Sequence, residues 1–105
     1  MIIVVAPAQG GEPGVSLEDA DNCNAFHLDA RGVDAAGVAA ALARAGAGRV
    51  VGDDAFIERA AVASMAAGAG VAADWDQRYE GMLAYAETKG WLADDGAVQA
   101  HIEWS

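Results

Sequence analysis

Strand patterns stand towards both ends of this chain with helical patterns between them, and that arrangement limits the fold more than any other feature. At the C-terminus, "AVQAHIEWS" alternates: Val98, Ala100, Ile102 and Trp104 share one parity, Gln99, His101 and Glu103 the other. Period two is the mark of a half-buried strand. Upstream, "NAFHLDA" repeats it over Asn24 to Ala30, with Phe26 and Leu28 opposite His27 and Asp29. Ile2 to Val5 is a short, continuous, β-branched run ended by Pro7, which reads as a buried strand or one that covers a sheet edge.

Between these patterns lie three helical segments. Asp34 is placed to cap a helix over Ala35 to Ala45, with Gly46 and Gly48 to stop it. Arg49 to Val51 reads as a short strand or an extended link. Asp53 and Asp54 then offer negative charge to the start of a second helix, Ala55 to Ala67. The third is the best specified: Asp74 and Gln77 have capping-box spacing, Trp75, Tyr79, Met82, Leu83 and Ala86 form one face, and Gly90 stops it. The turn "ADDGA", with Gly96 suited to a positive φ, leads into the last strand. Residues 6–23 hold both prolines and paired glycines, and read as one long loop.

The expected fold is α+β: a small, mainly antiparallel sheet of about three strands, with three helices packed on one face. The 105 residues suffice for one domain, 1–105. Hydrophobic residues make up 54% of the chain, but many are alanine, so the aromatic residues and the few Val, Ile, Leu and Met are expected to supply most of the burial. Alanine-rich helices without a charged face are buried all round or meet a partner, which points to self-association as a homodimer.

A formal charge of −10 repels phosphates, so nucleic acid and anionic membranes are poor partners. No apolar run approaches the ~20 residues of a membrane-spanning helix, and the first residues lack the pattern of a signal peptide. The single cysteine, Cys23, forms no intrachain disulfide and fits a reducing cytoplasm. Its acidic surroundings raise the thiol pKa and make it a weak nucleophile. The loop "VVAPAQGGEPGVS" has no Gly-Lys pair, and Glu12 is its only charge, so it makes a poor phosphate cradle.

The two histidines, His27 and His101, carry the sharpest candidate site. If their strands pair, opposed Cβ atoms lie about 4.5–5.5 Å apart. His27, Asp29, His101 and Glu103 could then hold a divalent metal, or His27, His101 and Glu103 could work as acid and base. His27-x-Asp29 with a distant histidine matches the ligand layout of non-haem iron oxygenases, whose β-helix, however, needs about eight strands. The plainer account is that the wet face of a sheet carries such residues because water is there. Trp75 and Trp91 read as core closures, with one of them lining a ligand pocket with Tyr79 or Tyr85 as the alternative. The leading functional expectation is a small, soluble, non-enzymatic binding or accessory module, cytoplasmic and homodimeric, with no resident cofactor and a protein or small-molecule partner. The alternative is a small metal-dependent or acid–base enzyme built on the histidine–carboxylate set.

Overall fold

The computed structural model describes residues 1–7, 13–23 and 25–104. Residues 8–12, central to the expected loop and including Glu12, lie outside the described residues, as do Asn24 and Ser105. The element order is β1 (Ile2–Pro7), β2 (Pro13–Glu18), β3 (His27–Ala30), α1 (Ala35–Ala45), β4 (Gly48–Val51), β5 (Asp54–Ile57), α2 (Arg59–Ala69), α3 (Trp75–Thr88) and β6 (Val98–Trp104).

The architecture is α+β, but the sheet differs from the expected one. Six strands run in the order β2-β1-β3-β6-β5-β4 and curl into a half-barrel. The central strands β1, β3 and β6 are mutually parallel, and antiparallel hairpin partners flank them at both edges. The expectation of about three mainly antiparallel strands was wrong in strand number and in the direction of the central pairing. Two of the extra strands arise where the local pattern suggests a loop or a helix, and the third where it suggests a short strand or an extended link. "PGVSLE", read as loop, pairs with β1 as β2. Arg49 to Val51 belongs to β4, and Asp54 to Ile57, taken for the start of a helix, is β5.

That last reading failed for a definable reason. "VVGDDAFI" is a two-residue hairpin: Val51 pairs with Asp54 across Gly52 and Asp53, and Gly52 takes φ 61°. A glycine opening a two-residue turn matches the twist of the flanking strands. Asp53 and Asp54 therefore belong to a hairpin, and α2 begins only at Arg59. β1 is likewise an interior strand, between β2 and β3, and covers no edge.

Helix α1 lies inside the curl and touches both edge strands, β2 and β4. Asp34 caps it, accepting the Gly37 N–H at 2.8 Å, and Gly46 closes it in the left-handed conformation. Its Val38, Ala41 and Leu42 meet Ile3, Val5, Leu28, Ile57, Val98 and Ile102 from the sheet in one core cluster. Alanine on the helices lets their backbones fit within the half-barrel, so the bulk of the core comes from aliphatic side chains of the strands. Of the aromatic residues only Trp75 and Tyr79 are fully in the core. Trp104, expected to face the core from β6, is 46% exposed at the strand's end.

The other face of the sheet carries the polar side chains of β3 and β6 together with apolar Ile2, Val4, Val51 and Phe56. Val4, in β1, is buried. The reason is a bridge above it: Arg31 pairs with Asp29 on β3 at 3.0 Å and with Glu18 on β2 at 2.9 Å. Since β1 lies between those strands, the guanidinium crosses over it.

Helix α3 packs Trp75, Tyr79, Leu83 and Ala86 inward, as the periodicity predicted, whereas Met82, expected on the same face, is half-buried at its edge. Its start differs in detail. Asp74 makes no side-chain cap but pairs with Arg78 one turn on, at 3.3 Å. Its end follows expectation: Gly90 takes φ 73°, and the Trp91 N–H donates to the Ala86 carbonyl at 2.9 Å.

Candidate functional site

The histidine question turns on strand pairing, and the strands do pair. β3 and β6 lie side by side with His27 opposite His101, Leu28 opposite Ile102 and Asp29 opposite Glu103. Both histidines and both carboxylates share the outer face. They do not converge. His27 Nε2 lies 3.7 Å from Glu103, whereas His101 Nδ1 lies 3.5 Å from a residue outside the expected set, Asp54 on β5. Asp29 is engaged by Arg31. Among the described residues, no three His, Cys, Asp or Glu side chains group closely enough to hold a metal ion. The arrangement is two separate histidine–carboxylate pairs on an open face.

A well-formed cleft among the described residues lies elsewhere. It has a volume of about 950 Å³ and opens between α3, the segment leading into β3, and the first residues of β6. One stripe of α3, Arg78, Met82 and Tyr85, forms its wall at spacings of four and three residues, beside the buried stripe. Phe26, Trp91, Ala25, Ala86 and Val98 add to the apolar lining. Trp91 meets Tyr85 edge-on at 5.8 Å between ring centroids. Both rings remain open to solvent, Tyr85 at 56% and Trp91 at 43% exposure. Trp91 is thus no core closure. It is held in place through its backbone, whose carbonyl accepts the Gln99 N–H at 2.7 Å.

The polar end of the cleft is built by residues 19–23, which the start of α3 clamps. The Trp75 indole N–H donates to the Ala20 carbonyl at 2.6 Å, and Trp75 stacks on Tyr79 at 4.7 Å. Tyr79 donates its hydroxyl to the Arg59 carbonyl at 3.1 Å, and burial pushes its pKa up to about 12. Asp21 accepts the Ala72 N–H and an Arg78 N–H, each at 3.0 Å; these bonds, the backbone one first, hold its carboxyl below the usual range. Arg78 also donates to the Asp21 carbonyl and lies 4.0 Å from the Cys23 sulfur. Burial pushes the Cys23 thiol up, the expected direction but by a different main cause, since the acidic neighbours contribute less than burial and Arg78 opposes.

The sequence offers a tryptophan with Tyr85 as a pocket wall, but not the partners that make the cleft. The Arg78–Met82–Tyr85 stripe was visible in the helical spacing. That it faces Phe26 and residues 19–23 depends on tertiary docking. Compared with family models, curated proteins and solved structures, the chain matches none. The site's chemistry therefore rests on its own residues. No helix among the described residues is long and apolar enough to cross a membrane.

Proposed function

We propose that the protein is a small binding module whose ligand site is the cleft between α3 and the entry to β3 and β6. One observation carries this reading: a cleft of about 950 Å³ with an aromatic wall and a few polar groups at one end. Such composition and size characterise small-molecule sites. A non-enzymatic role is supported by the lining itself, since its thiol is raised by burial and neither histidine belongs to it. The reading includes self-association, supported by the exposed small residues of α2 that follow Arg59 (Ala60, Ala63, Ser64 and Ala67) and by exposed Trp104. It also includes a cytoplasmic setting, supported by the lone cysteine.

The test is a fragment screen followed by two-dimensional NMR. Hits should shift the Trp91 indole N–H and the Met82 methyl and leave Trp104, at the far end of β6, unmoved. A screen whose hits perturb only residues outside the cleft, or that gives no hits, overturns the reading. Sedimentation at micromolar concentration addresses the dimer separately, and a monomer alone would remove it.

The enzyme alternative has one observation in its favour, the direct pairing of His27 with His101. It requires that divalent metal, or a catalysed reaction, depend on both histidines. Metal-induced thermal shifts unchanged by combined His27→Ala and His101→Ala, with no activity lost, would dismiss it.

A further inference from the structure

The cleft is chemically two-ended, and its two ends select a class of ligand. At one end stand Phe26, Met82, Tyr85 and Trp91. At the other stand Asp19, which accepts the Asn22 side-chain N–H, and Asp21, which is paired with the guanidinium of Arg78. That guanidinium is spent within the protein. Its Nη1 donates to the Asp21 carbonyl, its Nη2 to the Asp21 carboxylate, and its Nε pairs with Asp74, which lies outside the lining. Three carboxylates, Asp19, Asp21 and Asp74, stand against two cations, the Arg78 guanidinium and the Met1 ammonium, which donates to the Asn22 and Ala25 carbonyls and interacts with Asp19. The balance at the polar end is one negative charge, in a chain of formal charge −10. An anionic ligand would meet repulsion and find the cleft's arginine already engaged. A cation meets attraction from the carboxylates and from aromatic faces, whose quadrupoles favour positive charge. The protein itself shows the second effect at the cleft's margin, where the Lys89 ammonium sits 5.4 Å from the centre of the Tyr85 ring.

We infer that the cleft takes an organic cation: an ammonium group on an apolar or aromatic body. The ammonium lies towards Asp19 and Asp21, and the body packs against Phe26, Met82, Tyr85 and Trp91. This rests on the proposed binding role of the cleft and adds the sign of the ligand's charge.

Three probes of one shape separate the two ideas: 2-phenylethylamine, 2-phenylethanol and phenylacetate, titrated at low salt and followed at the Trp91 indole N–H. The amine is expected to bind about three- to tenfold more tightly than the alcohol, in line with a charge partnered at a solvent-open site, and phenylacetate least. Added salt at about 0.3 M should narrow the gap between amine and alcohol. Asp19→Asn should remove the amine's advantage and leave the alcohol's affinity in place. Asp19 has φ 52°, a conformation asparagine adopts readily, so this variant keeps the turn. An alcohol that binds as well as the amine overturns the cation inference while the cleft reading stands. Failure of all three probes to move the Trp91 signal overturns both. The wild-type series decides the question whether or not the variant folds.

Discussion

Trp75 joins the core to the cleft, and replacing it by phenylalanine tests that coupling. The substitution keeps an aromatic ring against Tyr79 and removes the indole N–H that reaches the Ala20 carbonyl at 2.6 Å. Two losses add. A part-buried carbonyl without its donor costs about 1 kcal/mol. The smaller ring leaves roughly 40 Å³ unfilled, which at about 24 cal/mol per Å³ adds about 1 kcal/mol. The expected total is therefore about 2 kcal/mol, a fall in Tm of roughly 8–16 °C for a domain of this size. Trp75→Ala, which removes a side chain only 2% exposed, should cost about 3–5 kcal/mol. Urea unfolding followed by far-UV circular dichroism measures both without relying on the tryptophan that has been removed. In Trp75→Phe the NMR signals of residues 19–23 should also broaden or shift, because one of their anchors to α3 is gone. If Trp75→Phe lies within about 0.5 kcal/mol of the parent while Trp75→Ala costs several, the bond to Ala20 contributes nothing and packing alone holds the segment.

Four further outcomes follow from the structure. Gly68→Ala, in the exposed body of α2 with no atom within 4 Å of an added Cβ, should stabilise by about 0.5–1 kcal/mol. Gly48→Ala should instead destabilise by about 2 kcal/mol or more, because its Cβ would stand 2.1 Å from the Phe56 carbonyl oxygen across the β4–β5 ladder; urea unfolding separates the two signs. Glu18, Asp21 and Asp95 have pKa values lowered in the fold, the first by hydrogen bonds from Arg31 and the other two by backbone N–H groups before their arginines. Their stabilisation is complete above the ordinary carboxylate range and is lost as pH falls through the lowered values. Urea midpoints should therefore decline below about pH 4, and Arg31→Ala should flatten part of that decline. The Cys23 thiol, raised by burial, should react with a disulfide reagent at pH 8 more slowly than free cysteine, and at the ordinary rate once urea unfolds the chain. Equal rates before and after unfolding would contradict its placement.

Local chemistry alone determined a definite part of this protein. The Asp34 cap with Gly46, the stop at Gly90, the positive φ of Gly96 and the inward stripe of α3 were all legible, because each depends on residues within about one or two helical turns. The alternations in β3 and β6 were legible too, since side-chain parity is a property of the strand itself. Parity, however, cannot say which strand lies next, in which direction or on which side. β3 and β6 pair in parallel because the path through α1 and the β4–β5 hairpin to the far edge brings the chain back beside β3. Nothing within either strand encodes that path. The same non-local closure buries Val4 beneath the Arg31 bridge, leaves Trp104 half in solvent and sends His27 and His101 to different carboxylates. It also docks the Arg78–Met82–Tyr85 stripe against Phe26 and residues 19–23, which turns a helix face into a cleft. The sequence thus set which side chains each element offers, through short-range sterics and hydrogen bonding. Which of them meet was decided by how the six strands curl around α1, since that is the arrangement that buries the aliphatic face of the sheet.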